Sequence, residues 1–395
     1  IQELYKLTQK FKESSNRGEL WLRLAELYVE KSALVDARKQ DLYDSKLKAF
    51  QAGQTKAKPK LDLTEAREYN RKAIQLYEWF LRDYPNDSKQ SQALFFLGYN
   101  YFEIADTKKG ATYYERLTKQ YPNSAYVGEA HFALGEFYFE NEKWADGYKE
   151  YSKIIKDRKH RLNTFALYKG AWCLYRLGKT EEAIKYLDFI IKGAKPDSKG
   201  QLVAGKKINT SRLENEALRD MVIFFADTGD TKRAVNYFKN INTKEAKANI
   251  EKLAYYFADK GNREASKDVF RLLIAQDPTS KKAFEYQYQI VQNYFYAKNS
   301  PQFKEELYRW IVDFDQKSAW YQAYQGDEEF LKNSYRLREQ TLRNYILQQH
   351  QTAQNSRAAF SRQTASDGYK LYFQEFSDSA QVADMHFFFG ELLYD

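Results

Sequence analysis

Apolar positions along this chain follow a repeating pattern, which in its two clearest copies has an offset of 37 residues. The stretch 93–124 aligns without gaps with the stretch 130–161, so that Gly98 corresponds to Gly135. In each stretch, apolar residues recur at i, i+3, i+4 and i+7, the spacing that places them on one face of an α-helix. Each stretch therefore predicts two amphipathic helices, joined in the first by a polar turn near residues 106–109.

The end of the second helix and the place where the two helices cross are also marked. Proline cannot continue a helix, so Tyr121-Pro122 predicts its end. Glycine at 98 and 135 lets a neighbouring helix approach closely. Because two helices cannot bury both apolar faces alone, the units must stack. Similar units are anchored at Trp21 and Tyr77, Ala171 and Leu187, Val222 and Phe238, Leu253 and Phe270, Ile290 and Trp310, and Tyr369 and Tyr372.

Three insertions interrupt the period. The first, between the first unit's two helices, is expected to lengthen both of them and to contain a basic loop at 45–60. The second is a basic loop at 192–212, and in the third, from about 315 to 366, two long helices replace short ones. Long loops in repeat arrays often bind something, but they also serve as spacers. The basic residues of the two loops are Lys46, Lys48, Lys56, Lys58, Lys60, Lys192, Lys195, Lys199, Lys206, Lys207 and Arg212.

The units and insertions divide the chain into four predicted regions. An N-terminal unit with a long insertion covers 1–85, regular units cover 86–196, further units after the basic insertion cover 197–314, and an elongated helical hairpin begins the region 315–395. The last residues, ADMHFFFGELLYD, repeat the pattern of a first helix. We therefore expect this chain to be a fragment of a longer repeat protein.

The motif resembles the tetratricopeptide repeat (TPR), with its small residues at the helix crossing and a proline after the second helix. The resemblance implies an all-α TPR α-solenoid, a right-handed superhelix of antiparallel helix pairs, here with some elongated helices. The Tyr-Pro-Asn linkers at 84–86 and 121–123 are similar to those of a bacterial cell-envelope subgroup that includes the outer-membrane assembly lipoprotein BamD and the Tol-associated coordinator CpoB. That similarity implies a periplasmic or envelope-associated protein of a Gram-negative bacterium; a cytoplasmic location is the alternative.

In proteins of this type the first helix of each unit lines a concave groove. Carried onto this sequence, the groove positions form an aromatic strip across three successive units. Tyrosine and tryptophan provide large rigid contact area with a polar tip, and arginine pairs with carboxylates. The strip predicts binding of an extended peptide or a partner helix; alternatively, its rings pack between neighbouring helices. The residues are Phe95, Tyr99, Phe102, Phe132, Glu136, Phe139, Tyr168, Trp172, Tyr175 and Arg176.

Composition limits the chemistry that this chain offers. A single cysteine, Cys173, excludes an internal disulfide and a multi-cysteine metal site, and the four histidines are scattered. The sequence contains none of the common nucleotide-binding, metalloprotease or hydrolase motifs. It has no apolar run of the length that spans a membrane. We therefore predict a protein that is not an enzyme, with no cofactor, no metal and no small-molecule substrate.

The charge leaves two classes of function open. The net charge of +9 suits an acidic partner, although acids and bases alternate over most of the chain and solubility alone explains the excess. The first hypothesis is a scaffold that binds proteins or peptides, with the basic loops possible contacts for an anionic membrane surface. The alternative is a basic helical-repeat protein that binds RNA. Glutamates interleaved with the aromatic strip make nucleic acid the weaker hypothesis, because phosphates avoid them.

Overall fold

In a computed structural model the chain folds into helices that form two compact units, Ile1–Phe224 and Phe225–Asp395. The all-α fold that the sequence predicts is confirmed, with consecutive helices packed on one another in each unit. A pair of three-residue strands is the exception in the described part of the chain. The residues that the structure describes are 1–11, 16–193, 201–203, 206–208, 210–241, 246–296, 300–356 and 359–394.

The compact unit Ile1–Phe224 contains the long helices α2 and α3, which are followed by regular pairs of helices. After α1 and α2, each helix packs on the one before it and the one after it as far as α9. Short turns reverse the chain between them, so neighbours run antiparallel. The helices are α1 (Gln2–Lys10), α2 (Arg17–Gln51), α3 (Thr64–Asp83), α4 (Gln90–Glu103), α5 (Thr107–Gln120), α6 (Val127–Glu140), α7 (Trp144–Ile155), α8 (Asn163–Arg176) and α9 (Thr180–Gly193).

Helix α10 (Thr210–Thr228) crosses from the first unit into the second. The second unit continues the same packing of successive helices and ends, in its described part, with α19 against α18. Its helices are α11 (Thr231–Asn240), α12 (Ala246–Asp259), α13 (Arg263–Gln276), α14 (Lys281–Tyr296), α15 (Ser300–Asp313), α16 (Ala319–Ala323), α17 (Glu328–Ser356), α18 (Ala359–Glu375) and α19 (Val382–Tyr394).

The glycines at the helix crossings carry out the role that their spacing predicts. A Cβ atom on Gly98 would lie 2.9 Å from the ring of Tyr114, and a Cβ on Gly135 would lie 2.5 Å from the ring of Tyr151. Both tyrosines come from the second helix of the same pair, and both are buried. Because Gly98 and Gly135 have no side chain, a large ring of the second helix can pack directly against the backbone of the first helix.

The turn inside each regular pair is shorter than predicted. Helix α4 ends at Glu103 and α5 begins at Thr107, so the turn spans residues 104–106 and not 106–109. Asp106 explains the early start, because its side chain accepts a hydrogen bond of 3.2 Å from the backbone N–H of Lys109 and caps α5. Ala105 in this turn adopts a left-handed backbone conformation, with φ of 67°.

The same left-handed position occurs in the other regular turns. Glu142 has φ of 57°, and Gly178 has φ of 76°. A side chain with a Cβ is strained in this region, whereas glycine is not. The turns of the pairs α4–α5 and α6–α7 therefore carry a local backbone strain, whereas the turn of the pair α8–α9, which contains Gly178, avoids it.

Replacing Ala105 or Glu142 by glycine should stabilise the protein. We expect each change to raise the free energy of unfolding by about 1 kcal/mol, because relief of left-handed strain exceeds the added entropy of the unfolded chain. Urea denaturation followed by circular dichroism measures the effect. Gly178→Ala is the reverse control and should lower stability by a similar amount; a stabilising Gly178→Ala contradicts the argument.

The first insertion lengthens both helices as predicted, but the basic loop begins later than residue 45. Helix α2 has 35 residues and α3 has 20, and the segment between them covers 52–63. Residues 45–51 contain no glycine or proline, so the helix continues to Gln51 and ends just before Gly53, which has φ of 73°. Lys46 and Lys48 consequently lie on α2 and not in a loop.

The other insertions take different forms. In the second insertion, α9 extends into the predicted loop and ends at Gly193. The strands β1 (Gln201–Val203) and β2 (Lys206–Ile208) then form an antiparallel pair before α10 begins. In the third, α17 is elongated at 29 residues, whereas α18 has 17 residues and is little longer than the 14-residue helices of the regular pairs. None of the described helices combines the length and apolarity needed to cross a bilayer.

Candidate partner-binding surface

The ten predicted groove residues lie on the first helices of three consecutive pairs. All of them are half-buried except Arg176, which is exposed. Half-buried rings with accessible edges are typical of surfaces that bind other proteins. Helix α4 carries Phe95, Tyr99 and Phe102; α6 carries Phe132, Glu136 and Phe139; α8 carries Tyr168, Trp172, Tyr175 and Arg176.

On α4, two of the three rings contact the second helix of their own pair. The centroids of Phe95 and Phe102 lie 5.7 and 5.6 Å from that of Tyr114. Burial, together with the neighbouring carboxylate of Glu103, raises the pKa of Tyr99 above its usual value. Phe95 and Phe102 therefore take part in the packing of the helix pair α4–α5, which limits the ring area that they offer to a partner.

On α6, Glu136 connects two helices. Its carboxylate accepts hydrogen bonds from the hydroxyl of Tyr151 on α7 and, at 2.9 Å, from the ammonium of Lys169 on α8. Phe132 packs edge-on against Tyr151, with centroids 5.7 Å apart. Both oxygens of this half-buried carboxylate thus have donors, and Glu136 ties α6 to α8 beside the aromatic strip.

Four residues from α6, α7 and α8 form what we call the aromatic–basic cluster: Phe139, Trp144, Trp172 and Arg176. The Phe139 and Trp144 rings are 5.1 Å apart, and the guanidinium of Arg176 lies 5.5 Å from the ring of Trp144 and 6.0 Å from that of Trp172. The ammonium of Lys169 lies 4.6 Å from the ring of Phe139. Cations at these distances are attracted to the ring faces, so the cluster holds an ordered, exposed positive group.

Helix α10 fixes the rings of α8 from the other side. Tyr168 and Trp172 both donate hydrogen bonds to the same carboxylate oxygen of Asp220, at 2.6 and 2.9 Å. Tyr175 stacks on Phe224 with centroids 4.3 Å apart. Burial raises the pKa of Asp220, and the two hydrogen bonds oppose that shift. The orientation of Trp172 is thereby set before any partner arrives.

Sequence reasoning missed four residues of this surface: Trp144, Lys169, Asp220 and Phe224. Two of them share a repeat position, since Lys169 and Asp220 each lie two residues before the residue that aligns with Gly135. Each pairs with a groove residue of the preceding first helix, Lys169 with Glu136 and Asp220 with Trp172. The unit anchored at Val222 already gives Asp220 this repeat position, but the alignment alone does not show which side chain it bonds.

The predicted basic loops do not form one continuous patch in the described residues. All five lysines between 46 and 60 are exposed, but Asp41 and Asp44 line the same surface depression as Lys48. Lys192 pairs with Asp188 on α9 at 2.9 Å. Lys206 and Lys207 belong to β2 and Arg212 to α10, while Lys195 and Lys199 lie outside the described residues.

The cysteine and two of the histidines, the residues that most often carry catalysis or bind metals, are engaged in packing or hydrogen bonding. Burial raises the pKa of the Cys173 thiol to about 12, which disfavours the nucleophilic thiolate. His131 forms a hydrogen bond of 2.7 Å with Glu150, and His386 stacks on Phe373 at 3.8 Å. Within the ranges that the structure describes, no group of three or more metal-ligating side chains comes together.

Comparison with known proteins supports the repeat assignment. Residues 92–124 and 165–192 match the sequence model of the tetratricopeptide repeat family. A comparison with curated protein sequences gives no match. The matched segments are α4–α5 and α8–α9, two of the helix pairs predicted from the sequence.

Solved structures with a related arrangement share little sequence with this chain. MamA from AMB-1 is 17% identical, with 52% of this chain and 91% of that chain covered and a TM-score of 0.33. PilF from Pseudomonas aeruginosa is 13% identical, with coverages of 68% and 98% and a TM-score of 0.35. A tetratricopeptide repeat protein from Parabacteroides merdae is 13% identical, with coverages of 76% and 99% and a TM-score of 0.35.

The fold and surface define a helical-repeat protein. Two of its helix pairs, α4–α5 and α8–α9, match the sequence model of the tetratricopeptide repeat. This repeat is generally a fold for protein interactions, which favours a scaffold and a protein or peptide partner over RNA. The narrower resemblance to the envelope proteins BamD and CpoB stays a prediction.

Proposed function

We propose that this chain is a non-enzymatic scaffold that binds a partner protein or peptide through its aromatic–basic cluster and the adjoining aromatic strip. The observation that carries the proposal is the exposed guanidinium of Arg176, held against the indoles of Trp144 and Trp172. Tryptophan and arginine are the residues that most often dominate binding energy at protein interfaces. Their positions are fixed by the chain itself, which lowers the ordering cost of binding.

The cluster favours an acidic partner segment. A guanidinium presents a fixed fork of N–H donors that matches a carboxylate, and the flanking indoles exclude water from that contact. Lys169 is engaged with Glu136, so Arg176 is the cation that the surface offers. We therefore expect a partner with an aspartate, a glutamate or a terminal carboxylate beside an apolar side chain.

A peptide-library selection against the purified chain tests this proposal. Peptides selected by the wild type should be rich in acidic residues, and Arg176→Glu should weaken their binding about tenfold or more, because it replaces attraction by repulsion. Isothermal titration of individual peptides provides the affinities. Thermal unfolding of the variant should match the wild type, since Arg176 is exposed.

Arg158→Glu is the matched control. Arg158 is also exposed and lies in the turn after α7, so the substitution changes the net charge equally. It should leave peptide affinity within about twofold, as screened long-range charge predicts. If both variants weaken binding to the same degree, or neither does, the cluster is not the binding site.

We also propose that the scaffold works in a bacterial envelope complex, in the periplasm or at the outer membrane. The Tyr-Pro-Asn linkers at 84–86 and 121–123 support this placement through their resemblance to envelope proteins. Fractionation of cells that express the tagged natural protein is the test. Recovery of the protein in the cytoplasmic fraction alone overturns the envelope proposal and leaves the scaffold proposal standing.

A further inference from the structure

We propose that residues 40–63, which project from the helix pair α2–α3, bind the surface of a bilayer that contains anionic lipids. We call this segment the basic arm. It contains no residue of the aromatic–basic cluster or of the aromatic strip, so the inference stands apart from the proposed binding of a partner. Three features of the arm support it: its projection, its exposed lysines, and the separation of its acidic residues from one basic face.

Helix α2 extends well beyond the helix that packs on it. The ammonium of Lys39 lies 3.9 Å from the carboxylate of Glu65 in the first turn of α3. From this point α2 continues to Gln51, over about 18 Å at a rise of 1.5 Å per residue. The buried residues of α2 all lie between Gly18 and Val35, and no residue of the arm, which the structure describes in full, is buried. Packed helices therefore cover the start of α2, whereas the arm reaches into solvent.

The outer part of the arm carries a concentrated positive charge. Residues 45–61 contain five lysines and neither aspartate nor glutamate. Lys48 lines one depression together with Asp41 and Asp44, so its charge is balanced nearby. The other four are exposed and form no ion pair within the described residues, so they are available to attract an anionic leaflet. They are Lys46, Lys56, Lys58 and Lys60.

The helical part of the arm keeps its acidic residues away from one basic face. Leu42 and Lys46 are one turn apart and share a face of α2. At about 100° per residue, Asp41 and Asp44 lie toward the opposite side of the helix. Leu42 is 51% exposed, so contact along its face brings an apolar side chain to the boundary of the acyl chains, while the ammonium of Lys46 stays among the headgroups.

The composition of the arm favours lipid headgroups over nucleic acid or an acidic protein. It contains no arginine, whose planar guanidinium binds individual phosphates and carboxylates in a fixed geometry. Its two aromatic rings, Tyr43 and Phe50, are half-buried, so they present little face on which a base could stack. Lysine is a flexible point charge, and such charges are attracted to the diffuse negative potential of a leaflet without needing a shaped site.

Co-sedimentation of the 395-residue chain with vesicles tests the proposal. We expect binding to vesicles made of equal parts of phosphatidylglycerol and phosphatidylcholine, weakening as salt rises, and no binding to phosphatidylcholine alone. The double substitution Lys56→Gln and Lys58→Gln should weaken binding about 25-fold, because each lysine near an anionic surface contributes about fivefold. Absence of binding to the anionic vesicles, or equal binding to both kinds, overturns the proposal.

The double substitution Lys153→Gln and Lys156→Gln is the matched control. One of these lysines lies on α7 and the other directly after it, and their replacement removes the same net charge. The control should bind anionic vesicles within about twofold of the wild type, because the Debye length is only about 8 Å at physiological salt. Thermal unfolding should be unchanged in both double variants, since all four side chains are exposed. Equal weakening in the two variants would assign binding to net charge and not to the arm.

A label within the arm shows whether this segment meets the bilayer. Cys173 is buried, so a fluorophore attached to Ala57→Cys, between Lys56 and Lys58, reports on the arm alone. Nitroxide-labelled lipids in the anionic vesicles should quench this fluorophore and leave one attached to Lys153→Cys unquenched. The reverse pattern overturns the proposal, as does binding of single-stranded RNA, but not of vesicles, that depends on Lys56 and Lys58.

Discussion

The Tyr151→Ala variant should be less stable than the wild type by about 3–5 kcal/mol. Tyr151 is fully buried, and its ring fills the space that Gly135 leaves on α6 and touches Phe132. Removal of a buried aromatic ring leaves a cavity whose walls cannot close, because the two helices are already in contact at this point. Urea denaturation monitored by circular dichroism, compared at the midpoints, measures the loss.

Tyr151→Phe separates the ring from its hydroxyl. The hydroxyl donates a hydrogen bond to Glu136, and burial raises the pKa of Tyr151 far above its usual value. Because Lys169 still bonds to Glu136 after the substitution, we expect a loss of only about 1 kcal/mol. Equal losses in the two variants would show that the hydrogen bond, and not the packing of the ring, stabilises this pair.

Alanine substitutions at two aligned glycines should have opposite signs. Gly110 on α5 and Gly147 on α7 lie 37 residues apart and occupy the same repeat position. At Gly110 a Cβ would lie 2.4 Å from the ring of Phe102 and 2.9 Å from the backbone oxygen of Gly98. A backbone atom cannot yield cheaply, so Gly110→Ala should cost about 1–3 kcal/mol.

Gly147 has room for the methyl group. The nearest atom to its Cβ position is the sulfur of Cys173, at 3.4 Å, and the others are at ordinary contact distances. Alanine also favours the helix over glycine, so Gly147→Ala should raise the free energy of unfolding by about 0.5–1 kcal/mol. Melting temperatures of the two variants provide the check. A loss in both would mean that the two pairs are packed equally tightly.

The elements that sequence predicts well are those that repeat. The spacing of apolar residues places α4 to α9, and the glycines at 98 and 135 identify the helix crossings, because a Cβ there would press on a tyrosine ring of the second helix. The turn is less predictable, since Ala105 takes a left-handed conformation that alanine normally avoids. Local preference is overruled there by the packing of the helices on either side.

The candidate surface was only partly predictable, for a physical reason. Periodicity identifies which face of α8 carries Trp172 and Arg176, but it does not show which residues of other helices reach them. Asp220 fixes Trp172 from α10, beyond an insertion that breaks the period. Trp144 begins a second helix and lies outside the positions that the resemblance assigns to the groove. Such contacts depend on the exact stacking of units, which one sequence does not contain.

The bonds between successive first helices make this part of the molecule a stiff segment. Lys169 joins α8 to α6 through Glu136, and Asp220 joins α10 to α8 through Tyr168 and Trp172. Widening the spacing of these helices would break half-buried hydrogen bonds to charged groups, at about 1.5–3 kcal/mol each. If the molecule is stretched from both ends, other helix pairs should therefore separate before these helices do. A bound partner would then contact a surface whose helix spacing stays constant under the stretching force.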